Sequence, residues 1–342
     1  MNHNDVERYR KQILLEKIGE DGQRRLGESK VLVAGCGALG TVICNNLVRM
    51  GVGTLVIADR DFIERDNLHR QILFDEDDVA ANLPKAIAAE NKLRKINPSV
   101  KIEALVTDIN SKNIKEMMSG VNCVIDGTDN FETRYLINDA CYSLNIPWIY
   151  GGVTGTSGMF YAFVPGKTPC LRCLMNEPPA PGETETCDTV GVLPTAVSVA
   201  ASMETTEAVK ILTGRGSELI GKMVRFNAWD GLWVSFGLKK DDNCPLCVQG
   251  RYDFLDSRLM SKTVSLCGRN AMQINPAKKT ELDFAALSAR LASSGSVDYN
   301  EYMLKFSAGD IEISVFKDSR AIIKGVNDEA AAKSAFSKYI GL

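Results

Sequence analysis

Histidine is nearly absent from this chain. His3 and His69 are the two it has in 342 residues, so a histidine-based acid–base or nucleophile-activating mechanism has little to draw on. Long apolar runs are missing too: the longest, residues 190–203, contains Pro194 and is followed by Glu204, too short and too interrupted to span a bilayer. The opening MNHNDVERYRKQ carries no apolar segment of the kind a secretory signal needs. A cytoplasmic location without a membrane partner is therefore expected. Neither sign of charge is in excess, since 40 Lys and Arg against 43 Asp and Glu leave a net charge of −3; that is no electrostatic footprint for nucleic acid. No G-K-[ST] follows the glycine-rich turn, which argues against a P-loop phosphotransferase. No internal repeat is visible.

The composition that remains, 45% hydrophobic and 24% charged, is that of an ordinary globular protein, and the length suggests about two domains. The organising stretch is Val31–Asp61. Val31–Ala34 reads as a short strand, Gly35, Gly37 and Gly40 form a G-x-G-x-x-G turn, Thr41–Met50 continues as a helix, and the strand Thr54–Ala58 ends on Asp59-Arg60-Asp61. This is a nucleotide-binding fingerprint in its strand–turn–helix setting, with an acid placed to hold a ribose. Glycines let backbone approach a phosphate, and the helix start offers free N–H groups to it.

Further strands (Lys101–Val106, Val121–Ile125, Pro147–Tyr150) alternate with helices, one opened by Pro84 and carrying Lys85, another at Glu132–Leu144. That alternation predicts a Rossmann-like, doubly wound and mostly parallel sheet with its ligands beyond the strand carboxyl ends. An N-terminal helical arm over Asp5–Arg25, with Val6, Tyr9, Ile13, Leu14 and Ile18 on one face, should precede it. Between Asp61 and Pro84, FIERDNLHRQILF keeps no period and reads as a functional loop carrying Arg65, Asn67, Arg70 and Gln71. After Gly151 come an antiparallel extension (Gly158–Val164, Met223–Asn227, Leu232–Phe236) and an apolar helix from Pro194 to about Leu212. The division predicted is 1–256 for the nucleotide domain and 257–342 for a small α+β domain. In the latter, a strand (Val264–Ile274) and a helix (Leu282–Ser293) precede three strands, with a hairpin turn at Gly309-Asp310.

Ten cysteines in a reducing compartment suggest metal or thiol chemistry. The pairs Cys170/Cys173 and Cys244/Cys247 fit one closed, structural zinc site of four thiolates. Cys187 sits apart, in a Pro-, Glu- and Thr-rich stretch read as a mobile loop. An exposed thiol there is suited to attack an activated acyl group, although Glu183, Glu185 and Asp188 would raise its pKa. Cys36, Cys44, Cys123, Cys141 and Cys267 lie among apolar residues and read as core. Arg70, Lys85, Asp126 and Asp129 together suggest a polyphosphate site, cations for phosphates and a carboxylate for magnesium.

R-Y-x-x-Q at Arg8–Gln12, GCGALG at Gly35–Gly40, DRD at Asp59–Asp61, NLHRQ at Asn67–Gln71, PK at Pro84-Lys85, DGTDN at Asp126–Asn130 and the paired C-x-x-C motifs together resemble the adenylating superfamily of ubiquitin-activating enzymes. The nearest likeness is to its members in molybdopterin and thiamine synthesis, over about residues 5–250. The resemblance implies ATP-dependent adenylation of the C-terminal glycine of a small ubiquitin-like carrier ending in Gly-Gly, by a homodimer. It implies Asp59 on the ribose hydroxyls, with Asp61 beside it in the same motif; Asn67, Arg70 and Lys85 on the phosphates, Gln71 in the same loop, and Asp129 on magnesium. Cys187 matches the crossover-loop cysteine. Lys11 stands where the family carries an arginine that reaches into the partner subunit's ATP site. Competing readings are adenylation of a peptide or a tRNA base, a nicotinamide-dependent oxidoreductase licensed by the glycine turn, and a non-catalytic scaffold. The domain after about Ser257 is expected to recruit the carrier or a downstream partner.

Overall fold

The computed structural model describes residues 3–180, 183, 186–259, 265–266, 271–274, 282–317, 319–326 and 328–341. The chain divides into two compact units, Met1–Met260 and Ser261–Leu342.

The first unit opens with α1 (His3–Ile13) and α2 (Gly19–Glu28), followed by β1 (Lys30–Ala34), α3 (Ala38–Met50), β2 (Thr54–Ala58), α4 (Glu76–Ala80), α5 (Lys85–Ile96) and β3 (Lys101–Leu105). Then come α6 (Ile114–Met117), β4 (Cys123–Asp126), α7 (Phe131–Leu144), β5 (Trp148–Thr154), β6 (Ser157–Phe163), α8 (Leu171–Leu174), α9 (Cys187–Val190), α10 (Pro194–Leu212), β7 (Met223–Asn227) and β8 (Leu232–Phe236). Their strands form one sheet in the order β3-β2-β1-β4-β5-β6-β7-β8. The first five are parallel and the last three antiparallel. Parallel strands need both faces covered, and the alternation in β1 does this: Val31 and Val33 enter the core under α3 and α10, Leu32 and Ala34 the core under α7. The strand order reverses between β1 and β4, which opens the crevice where such sheets bind ligands.

The N-terminal arm departs from expectation. It is two helices rather than one, broken before Gly19, whose φ of +62° no continuing helix accepts. Of the five residues expected on its apolar face Tyr9 is buried, whereas Leu14 is 71% exposed. Asn97 Nδ2 donates to the Tyr9 hydroxyl at 2.7 Å and Gln12 Nε2 to the Met50 carbonyl at 2.9 Å. The arm is thus fastened to the C-terminal ends of α5 and α3.

In the second unit, β9 (Ser265–Leu266), β10 (Ala271–Ile274), α11 (Phe284–Leu291), β11 (Ser296–Tyr299), β12 (Met303–Ala308), β13 (Ile311–Phe316), β14 (Ala321–Lys324) and α12 (Glu329–Tyr339) build an antiparallel sheet ordered β11-β12-β13-β14-β10-β9. The single strand expected at 264–274 is a pair, β9 and β10, and β11 is an addition that its polar SVDY sequence hid. The Gly309-Asp310 turn joins β12 to β13, Gly309 taking φ +60°.

Candidate nucleotide site and thiolate clamp

Three glycines interlock at the crevice. A Cβ on Gly40 would stand 2.0 Å from the Gly35 carbonyl oxygen, and one on Gly127 would stand 2.6 Å from the same atom. Gly35 itself has φ +89°, so the turn after β1 and the loop after β4 close on each other through bare backbone. Gly37 is the N-cap of α3 and leaves that helix start open, with no side-chain cap. Gly127 was not singled out from sequence, although D-G after an apolar strand was the available signal.

Asp59, at the end of β2, accepts from the Cys36 backbone N–H at 2.6 Å and from the Asp61 N–H at 2.7 Å. Burial raises its carboxyl above the ordinary range, against the pull of Lys85. Lys85 lies in the first turn of α5, where a lysine either points into solvent or helps the helix end hold an anion. The structure excludes solvent: the side chain is buried and its Nζ lies 3.3 Å from Asp61 Oδ2. A cation at a helix N-terminus opposes the dipole, and its acidic neighbours offset that. Arg60 pairs outward with Asp108 at 2.6 Å.

The loop after Asp61 is ordered by its own polar residues. A 3-10 turn, Arg65–Asn67, is closed by Asn67, which is buried and accepts from the Glu64 N–H while donating to Asp66. Arg70 Nη1 donates to the Asp66 carbonyl at 2.7 Å and meets His69 Nε2 at 2.8 Å. Gln71 is buried, and among the described residues its Oε1 has no hydrogen-bond partner.

Beyond β4, Asp126 is fully buried and accepts from the Thr128 N–H, the Thr128 hydroxyl (2.6 Å) and Arg134 Nε (2.8 Å). Arg134 Nη2 also donates to the carbonyls of Thr128 and Gly151. Sequence reading missed Arg134, which sits in the first turn of α7, on a helix, where an arginine is usually a solvated charge. It ties the Asp126–Asn130 loop to β5 and so presents Asp129, which is exposed, beside the glycine turn.

Lys11 is not brought to this site. It is exposed on α1, which is bonded to the far ends of α3 and α5, the length of a 13-residue helix away, about 20 Å at 1.5 Å per residue.

Cys187 departs from the mobile-loop reading. It opens the one-turn helix α9, is half-buried, and its Sγ donates to the Val153 carbonyl at 3.2 Å. Val153 and Gly151 are two apart on β5, so Cys187 and Arg134 hold alternate carbonyls of one strand. Of the expected acidic surroundings, Glu185 and the side chain of Asp188 lie outside the described residues, as does Cys267. Cys36, Cys44, Cys123 and Cys141 are buried.

The four remaining cysteines converge. Cys170 and Cys244 sulfurs are 3.4 Å apart, Cys173 and Cys247 3.3 Å, Cys170 and Cys173 3.9 Å, and all four lie within 4.8 Å of one another. A zinc ion with four Zn–S bonds of about 2.3 Å sets sulfurs about 3.8 Å apart, so the cluster fits a tetrahedral zinc. No open ligand position is left.

The fold and site thus define a doubly wound nucleotide-binding enzyme with a buried lysine beside the acids that follow β2 and a four-cysteine clamp. The chain belongs to the ThiF family, which it matches over residues 9–246, and is an enzyme of the adenylyltransferase class. It is 41% identical over 337 residues, 98% of this chain and 99% of the relative, to the sulfur carrier protein ThiS adenylyltransferase of Bacillus subtilis. It is 36% identical to the Escherichia coli ThiS adenylyltransferase over 72% of this chain and 97% of that one. To the SAMP-activating enzyme E1 of Haloferax volcanii it is 36% identical over 75% and 94%. The crystal structure of E. coli MccB with ATP shares the fold, with TM-score 0.61 and 23% identity over 72% of this chain and 75% of that chain. Among the described residues no helix is long and apolar enough to cross a membrane.

Proposed function

We propose that the chain uses ATP and magnesium to adenylate the C-terminal glycine carboxylate of a small ubiquitin-like sulfur carrier ending in Gly-Gly, releasing pyrophosphate. The observation that carries this is the Lys85 ammonium, buried behind the glycine turn between Asp59 and the phosphate end of the crevice. A carboxylate nucleophile is already ionised, so the site must supply charge stabilisation and position rather than a base. Its near-total lack of histidine fits that need. In this reading Asp59 binds the ribose hydroxyls and the backbone at Gly35, Gly37 and Gly40 admits the phosphates. Asn67, Arg70, Gln71 and Lys85 surround the polyphosphate, Asp61 orients Lys85, and Asp129 holds magnesium. The clamp cysteines hold a structural zinc.

The fastening of α1 to the far end of its own domain supports Lys11 acting in the partner's site of a homodimer. Lysine keeps the charge there but not the planar fork of arginine. The Bacillus relative matches along nearly the whole chain, second unit included, which supports a shared role of 257–342 in recruiting the carrier or the protein that next handles it. The nicotinamide reading leaves Lys85, Arg70 and the clamp without a task, and a non-catalytic scaffold would not need Lys85 buried.

ATP–pyrophosphate exchange with candidate carriers ending in Gly-Gly tests this. Exchange should depend on the carrier, be lost in Asp129→Ala and persist in Cys187→Ala, because the thiol acts after adenylation. Exchange absent with every carrier in the wild type, or retained in Asp129→Ala, would refute the assignment.

A further inference from the structure

Helix α10 carries two buried glutamates one turn apart, and they are treated differently. Glu207 is satisfied: one oxygen accepts from Lys210 and the other from the Ile220 N–H at 3.0 Å. Glu204 is fully buried and, among the described residues, neither carboxyl oxygen has a hydrogen-bond partner. Its carboxyl presses on β5 so closely that a Cβ on Gly151 would stand 2.0 Å from Oε1. The carbonyl of that same Gly151 accepts from Arg134 Nη2 at 3.0 Å. Glu204 therefore faces the device that ties the Asp126–Asn130 loop to β5.

The charged and titratable groups acting on it are Asp126 from β4, Arg134 from α7 and Tyr150 from β5. Among the described residues α3, α2, β6 and the 3-10 turn Gly216–Glu218, which also border α10, add no acting charge to these. Arg134 already spends Nε on Asp126 and Nη2 on two carbonyls. One buried guanidinium balances one carboxylate, and Asp126 has three donors where Glu204 has none. An ionised carboxyl without donors is too costly to bury.

We propose that Glu204 is a positioning residue for the adenylation site: held as a neutral acid against Gly151, it leaves Arg134 wholly engaged with Asp126, Thr128 and Gly151, and so fixes the loop that presents Asp129. Burial first, then Asp126, push its carboxyl well above the ordinary range, with Arg134 pulling the other way. Ionisation of Glu204 would set a second carboxylate competing for Arg134 and loosen the loop. The inference rests on the proposed adenylation reading for its catalytic consequence, but its structural half does not.

Two measurements on the full chain test it. The first is thermal stability against pH for wild type and E204Q. A glutamate raised in the folded state and ordinary in the unfolded one weakens folding as pH rises above the unfolded value of about 4.3, by up to tenfold in the folding constant per pH unit until the folded group ionises. The advantage of E204Q over wild type should therefore grow from acid to neutral pH. E204M serves the same comparison if the glutamine amide does not fit. A pH-independent difference overturns the neutral acid.

The second is the pH profile of pyrophosphate exchange. Wild type should lose activity on the alkaline side, chiefly through a weaker apparent affinity for magnesium-ATP, while E204Q matches it at neutral pH and lacks that fall. An alkaline limb shared by both proteins, or absent from both, overturns the positioning role. No exchange in the wild type removes that role together with the reading it depends on, whereas the stability result still decides the state of the carboxyl.

Discussion

Replacing Lys85 with methionine is expected to lower carrier-dependent pyrophosphate exchange by about 10²–10³-fold, the usual consequence of removing one preorganised donor from a developing oxyanion. Methionine keeps the apolar stem, which lies buried at the start of α5, so loss of packing is small. The loss should fall on kcat as well as on the KM for ATP, because the ammonium is in place before substrate arrives and strengthens its contact as charge moves onto the pyrophosphate. Asp61, 3.3 Å away, then loses one of its cations, Arg60 remaining at 3.7 Å, so part of the loss is repulsion of ATP. Asp61→Asn separates the two: it should retain more exchange than Lys85→Met. Exchange in Lys85→Met equal to wild type, with an unchanged circular dichroism spectrum, would remove Lys85 from the phosphates.

Loss of metal from the four-cysteine clamp is expected to be the largest single effect on stability. Cys170 and Cys173 follow β6, and Cys244 and Cys247 follow β8, so the thiolates close a loop of about seventy residues that includes α9 and α10. Apparent binding energies of about 10–16 kcal/mol for structural zinc in small peptides rival the roughly 5–15 kcal/mol that holds a typical domain. Chelation, or Cys244→Ser at the most buried ligand, should abolish the cooperative unfolding transition of the first unit and release zinc in proportion. Since thiolates must be deprotonated to bind, the metal should also leave as pH falls. A zinc-free preparation that melts at the same temperature as the purified protein would refute the clamp.

The site's chemistry was legible where a residue type has few alternative uses. Glycines after an apolar strand, an acid after the next strand and two C-x-x-C pairs each point to one kind of ligand, and spacing within a segment carries that information. Arg134, Gly127 and Glu204 were not legible, since each matters through a neighbour distant in sequence: Gly127 through Gly35, Arg134 through Gly151, Glu204 through Gly151 and Arg134. The edge strand β8 is another such case. Leu232–Phe236 is a strand as expected, yet all five of its residues are exposed, Trp233 and Leu232 by more than half, because nothing in the local pattern says which strand ends a sheet.

Local pattern determined the Rossmann-like core, because backbone period and turn chemistry are properties of adjacent residues: strands, helices and the glycine turn fall within a few residues of expectation, and the cysteine pairs announce themselves. Tertiary structure alone decided which of those pieces meet. It broke the N-terminal arm at Gly19, sent Lys11 to the far side of its own domain, turned Lys85 inward against Asp61, anchored Cys187 to Val153, and left Glu204 without a partner beside Arg134. Each is set by burial and by hydrogen bonds or charge pairs between residues far apart in sequence, energies that depend on distance in space and leave no period along the chain.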